Sequence, residues 1–248
     1  MAQYIMAHRG ASGYAPENTL EAFSLAAEMG AYGVELDVHL TRDGEIVVAH
    51  DERIDRVSDG SGRIYDSTLS ELKKFHFNRT FPEYKNARIP TLKEVFELLG
   101  PAGLHINIEL KNSIIDYPDL EEKVISLADK EGILDKIIFS SFNHYSLLRI
   151  KKIDPSLYCG LLYEATLIEP WNYALNLGMD ALHPHFSEVL VPGGECIKAH
   201  ELGIEVNPWT VNDDDDLRKV IAAGADHIIT NYPEKALNLL NEHPNTFA

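Results

Sequence analysis

The chain has few cysteines: Cys159 and Cys196 are the only two in 248 residues. That is too few for a disulfide framework, and their spacing fits no zinc motif, so both read as reduced, buried thiols. Long hydrophobic runs are also missing. No segment approaches the roughly 20 apolar residues that span a bilayer. Residues 1–8 carry no basic region and no long apolar stretch, so they read as no signal peptide, and a cytoplasmic location is expected. Positive charge is scarce: 22 Lys and Arg stand against 39 Asp and Glu, a formal net charge of -17. That balance argues against a nucleic-acid partner and against stable membrane association. It does not forbid a small phosphorylated substrate, because a local cation can reverse the sign of one pocket.

What is present is a regular alternation. Hydrophobic residues make up 45% of the chain, enough for a sizeable core. Short apolar runs at 4–8, 33–40, 105–110, 136–141, 157–162, 180–183, 204–207 and 227–230 read as strands. Helix-period segments separate them, the first with Asn18 as expected N-cap and Leu20, Phe23 and Ala27 on its packed face. Eight strand–helix units predict an α/β fold, a (β/α)8 TIM barrel in a single domain over 1–248. Residues 51–89 break the rhythm. They are polar, rich in Ser, Gly, Asp and Arg, and too long for an ordinary loop. They predict an insertion after the second strand, on the active face, as a lid. Exposed aromatics between Tyr65 and Tyr84 offer a surface for a homodimer contact.

Barrel chemistry sits at the C-terminal ends of the strands. His8 ends the first strand, Glu35 and Asp37 lie late in the second, and Glu109 and Lys111 end the third. Side chains alternate along a strand, so Glu35 shares a face with Asp37, and Asn107 with Glu109 and Lys111. The intervening Val and Leu or Ile suit packing against helices. Two imidazoles (His8, His50), a guanidinium (Arg9) and clustered carboxylates are the inventory for metal-assisted attack on a phosphate ester. Arg42-Asp43-Gly44-Glu45 reads as a two-residue hairpin turn, with Arg42 facing Glu45 and hence Asp37 opposite His50.

At these residues the chain resembles the glycerophosphodiester phosphodiesterase family. The matching pieces are Ala7-His8-Arg9-Gly10, Pro16-Glu17-Asn18-Thr19, Val34-Glu35-Leu36-Asp37-Val38, Thr41-Arg42-Asp43-Gly44, His50-Asp51, Glu109-Leu110-Lys111, Ser141-Phe142, Trp209-Thr210-Val211-Asn212 and Thr230-Asn231-Tyr232-Pro233. They run in the family's order from the first strand to the last. The resemblance implies a (β/α)8 barrel that hydrolyses small-molecule glycerophosphodiesters to glycerol 3-phosphate and an alcohol. It implies one divalent cation; three carboxylates suit Mg2+, Ca2+ or Mn2+ alike, and a small cytoplasmic enzyme favours Mg2+. It also implies roles: His8 and His50 as the general acid–base pair, Glu35, Asp37 and Glu109 as metal ligands, Arg9 and Lys111 as a phosphate clamp.

Other residues have plainer readings. Asp213 to Asp216 open a helix, where acids favour the macrodipole. Asn18 reads as a cap, not a ligand. Trp209 offers an apolar wall for the glycerol moiety or a packed core ring; His183 and His185 read equally as mouth-lining or surface residues, and His39 has no assigned role. Two rival functions share the fold: a lyase of the phosphoinositide phospholipase type that stops at a cyclic phosphate, and a barrel that binds a phosphometabolite without turnover.

Overall fold

A computed structural model describes residues 2–191 and 195–242; Met1 and 243–248, at the ends of the expected domain, lie outside the described residues. The strands are β1 (Tyr4–His8), β2 (Gly33–Leu40), β3 (Ile46–Val48), β4 (His105–Leu110), β5 (Ile137–Ser141), β6 (Cys159–Tyr163), β7 (Ala181–Pro184), β8 (Glu205–Val206) and β9 (His227–Thr230). Eight of them run parallel in the order β8-β7-β6-β5-β4-β2-β1-β9, and β3 pairs antiparallel with β2. No ladder joins β8 to β9. Across that seam Asp226 N–H donates to the Val206 carbonyl at 2.9 Å, and Ile229 N–H to the Pro208 carbonyl at 3.0 Å. The result is the expected, nearly closed (β/α)8 barrel. Among the described residues no helix is long and apolar enough to cross a membrane.

Strand alternation builds the two layers. Val34, Leu36 and Val38 with Ile106, Ile108 and Leu110 join one apolar cluster that includes Phe23, Leu92, Val95, Phe96 and Val124 from the surrounding helices. Their burial in this layer is the main adhesive of the barrel. Glu35, Asp37 and His39 take the other face of β2, as Asn107 and Glu109 do on β4, and all five are buried. Cys159 and Cys196 are both buried, as expected.

The first helix (Leu20–Glu28) corrects the cap. Thr19, not Asn18, is the N-cap, its hydroxyl accepting from Ala22 N–H at 3.3 Å. The helix is turned slightly from expectation, burying Ala22, Phe23 and Ala26. Gly10 (φ 78°) lies against its first turn, where an added Cβ would stand 2.6 Å from Ala22 backbone, so only glycine allows the approach.

The hairpin also corrects the expected register. Thr41 N–H donates to Glu45 O and Gly44 N–H to Thr41 O, which makes Arg42-Asp43-Gly44 a three-residue loop. Gly44 (φ 82°) supplies the left-handed residue that such a loop requires. Leu40 therefore faces Ile46, and Asp37 O accepts from Ala49 N–H at 3.0 Å, so Asp37 lies opposite Ala49 instead of His50.

Beyond β3 the chain forms a satellite with its own apolar cluster, including Ile54, Ile64, Leu72, Phe77 and Ile89. It rejoins the barrel where Thr91 and Glu94 form a capping box at the helix Leu92–Leu99. Of the aromatics between Tyr65 and Tyr84, Tyr65 is exposed, Phe77 is buried and the others are half-buried.

Candidate active site

Register brings the predicted residues together. On neighbouring strands His8 pairs with Glu35, Glu35 with Asn107, and Asp37 with Glu109. One carboxylate oxygen from each of Glu35, Asp37 and Glu109 lies within 4.8 Å of the others, the single such acidic cluster among the described residues. A cavity of about 50 Å³ at the strand ends is lined by His8, Arg9, Glu35, His50, Glu109 and Trp209, together with Asn107, Ser140, Phe142, Leu162 and Ile229. His50 thus reaches the site despite the shifted register, because the chain leaves the ladder after Val48. Asp37 and Lys111 do not line it themselves; each pairs with a residue that does, Asp37 with Arg9 and Lys111 with Glu109.

Three acids in so dry a pocket cannot all stay ionised unaided. Burial and the charges of Asp37 and Glu109 push the Glu35 carboxyl well above the usual range. Burial and Asp37 push Glu109 up to about 7. Asp37 goes the other way. Burial would raise it, but the Lys111 and Arg9 charges prevail and hold it well below the usual range. Its Oδ2 accepts from Asn18 Nδ2 at 2.8 Å, while its buried Oδ1 has no hydrogen-bond partner. Lys111 Nζ lies 2.8 Å from Glu109 Oε1 and 3.7 Å from Asp37 Oδ1. A converging, all-oxygen set with one unpartnered buried acceptor fits a hard divalent cation.

Arg9 is fixed from several sides. Its backbone N–H donates to Glu35 Oε2 at 3.0 Å, its Nη1 pairs with Glu17 at 2.9 Å, and its Nε lies 3.6 Å from Asp37. Glu17 then pairs with Arg56 at 2.7 Å, and Arg56 with Asp51 at 2.7 Å. Asp51 Oδ1 sits 2.6 Å from His50 Nδ1. A chain of ion pairs therefore crosses from the end of β1, through the satellite, to His50.

His8 is anchored differently. Its Nδ1 lies 2.7 Å from Asn231 Oδ1, so Nδ1 carries the proton and Nε2 keeps its lone pair. Burial, with Arg9 adding to it, lowers its pKa to about 3. His39 gains a role: its Nε2 donates to His50 O at 3.1 Å, and its Nδ1 accepts from the Tyr117 hydroxyl at 2.8 Å. Burial lowers the His39 pKa to about 4, consistent with that neutral tautomer.

Trp209 stands on the apolar side, edge-on to Phe142 at 5.5 Å and to His185 at 5.6 Å, its indole N–H donating to His183 O at 2.8 Å. His183 itself is buried below, 3.0 Å from Asn207 Nδ2. Asp213 caps the helix Asp214–Ala223, as the macrodipole reading expects. Sequence reasoning gave no role to Glu17, Asp51 and Asn231, and read Asn18 as a cap, although all four lie in the matched pieces. Arg56 carried no signal, since it lies outside the matched pieces and its bridge reaches Glu17, 39 residues away, as well as the nearby Asp51.

The glycerophosphoryl diester phosphodiesterase family model matches residues 8–235. A glycerophosphodiester phosphodiesterase of Caldanaerobacter subterraneus subsp. tengcongensis is 45% identical over 98% of this chain and 99% of its own. One from Bacillus altitudinis is 37% identical over 96% and 98%. Among solved structures, an Oleispira antarctica phosphodiesterase in complex with the product sn-glycerol-3-phosphate is similar with a TM-score of 0.84 and 32% identity, covering 97% of each chain. With barrel, acidic cluster and histidine pair in place, the chain belongs to the glycerophosphoryl diester phosphodiesterase family of enzymes.

Proposed function

We infer that this enzyme hydrolyses glycerophosphodiesters to sn-glycerol 3-phosphate and an alcohol, with one divalent cation and a histidine acid–base pair. The observation that carries this reading is one cavity lined by His8, His50, Arg9, Glu35 and Glu109, with Asp37 in the same acidic cluster. The Oleispira neighbour, which holds sn-glycerol-3-phosphate, supports the same class of substrate.

Glu35, Asp37 and Glu109 would hold the cation, with Mg2+ preferred. When bound, it supplies charge neutralisation of the phosphate and of the developing transition state. Arg9 offers donors to the non-bridging oxygens, and Lys111 adds a second positive charge beside the same acids. His8, held neutral with an unprotonated Nε2 that the Thr210 hydroxyl approaches at 3.5 Å, takes the proton from the nucleophile. His50, its ring oriented by Asp51 on Nδ1, gives a proton to the leaving alkoxide from Nε2. Trp209 and Phe142 form an apolar wall for the glycerol carbons.

The test is release of glycerol 3-phosphate from glycerophosphoethanolamine with Mg2+, Ca2+, Mn2+ or chelator. Metal-dependent release, abolished in His8→Ala, is the expected result. Unchanged release in chelator would overturn the cation's role. A cyclic phosphate as end product would move the enzyme to the lyase class.

A further inference from the structure

The apolar wall of the cavity does not end at its rim. Phe142 and Leu162 line the cavity, and both also line an adjoining groove of about 540 Å³. The groove opens at the ends of β5 and β6, and Tyr163, Leu167, Ile168 and Tyr173 complete its apolar surface. None of its lining side chains is acidic, lysine or arginine, in a chain of net charge -17. Ile168 is 95% exposed and Tyr173 44%. Large apolar side chains clustered in water beside a catalytic cavity mark a binding surface.

The groove is also held in shape. His144 Nε2 donates to the Leu162 carbonyl at 2.9 Å, which leaves Nδ1 to accept from the Tyr173 hydroxyl at 3.1 Å. Its single imidazole therefore has both nitrogens engaged. A polar extension of the substrate would find few partners there, whereas a hydrocarbon chain would displace water from apolar surface on one side.

We propose that this groove binds an aliphatic chain carried by the phosphodiester, so that the enzyme favours soluble, single-chain amphiphilic diesters over unsubstituted ones. The proposal rests on the phosphodiesterase reading above. The chain can be borne by the leaving alcohol or by the glycerol, and both place hydrocarbon beside a phosphate seated at Arg9.

Two substrate series separate those sources, each used below its micelle concentration. One is the butyl, hexyl and octyl esters of glycerol 3-phosphate; the other is butanoyl, hexanoyl and octanoyl lysophosphatidylethanolamine. In one series kcat/KM should rise by roughly twofold per methylene, chiefly through KM, as expected for half-burial of each CH2. Leu167→Asp with Ile168→Asp should flatten that rise and leave glycerophosphoethanolamine turnover unchanged. Both residues lie at the surface, so folding is not at stake. A flat response in both series, or a slope that survives the double variant, would overturn the proposal. If glycerophosphoethanolamine itself is not hydrolysed, the phosphodiesterase reading has failed, and calorimetry reads the groove alone. Octyl phosphate should then bind at least about tenfold tighter than ethyl phosphate, and only with Leu167 and Ile168 intact. Equal affinities would sink the groove.

Discussion

His8 and His50 line the same cavity but live in different surroundings. His8 sits at the end of a barrel strand, and its Nδ1 meets a neutral amide, Asn231. His50 leaves a three-residue strand, and its Nδ1 meets a carboxylate, Asp51, itself tied to Arg56. An amide fixes a tautomer without stabilising a positive ring. A carboxylate does both. Under the proposed roles, proton acceptor and proton donor are distinguished by what stands behind each ring, not by the face it shows the substrate.

The strongest way to break that comparison is to remove each ring. His8→Ala and His50→Ala should each lower kcat/KM for glycerophosphoethanolamine by about 10²–10⁴-fold. With a p-nitrophenyl diester, whose leaving group needs no proton, His50→Ala should recover most of its loss and His8→Ala none. Equal recovery of both would erase the division of roles.

A finer cut exchanges the partners. Asn231→Asp puts a carboxylate behind His8, so its pKa should climb from about 3. The acidic limb of the rate profile should then move to higher pH, and activity at pH 6 should fall by roughly tenfold. Asp51→Asn, which removes the carboxylate that orients the His50 ring, should lower kcat/KM for glycerophosphoethanolamine by roughly tenfold. Imidazole proton shifts followed by NMR across pH 4–9 would show whether the Asn231→Asp change lands on the His8 ring.

The smallest effect concerns stability. Burial raises Asp51, but hydrogen bonds from Arg56 and His50 outweigh it and bring its pKa to about 2. A carboxyl depressed on folding stabilises the fold above its unfolded value near 4, and that contribution disappears as pH falls from there towards 2. Arg56→Ala should lower Tm by only about 2 °C at pH 7, since the pair is partly exposed and screened by solvent. Near pH 2 the variant and the parent should melt together. A difference that persists there would assign Arg56 to packing instead of charge.

The barrel and the acidic cluster were legible because both follow from a period of two. Val34 and Leu36 against Glu35 and Asp37, and Ile106 and Ile108 against Asn107 and Glu109, announce which face meets helices and which meets the site. The hairpin was misjudged by one residue because Asp43-Gly44 suits two loop lengths. The choice between them came from Thr41, whose Oγ1 accepts from Glu45 N–H at 3.0 Å and fixes the longer loop. Asn18 looked like a cap because a cap and a second-layer donor use the same residue type. Only the fold shows that its amide faces Asp37. The Arg56 bridge was invisible for a different reason: it joins Glu17, 39 residues away, through a satellite with no regular period.

The satellite's separate apolar cluster has a consequence for heat. Cooperative opening follows the amount of apolar surface a unit buries, and this unit buries far less than the barrel. Asp51 and Arg56 belong to it, whereas His8, Glu35 and Glu109 belong to the barrel. Warming should therefore silence proton donation while the strands still hold the acidic cluster, so that inactivation precedes melting and reverses on cooling.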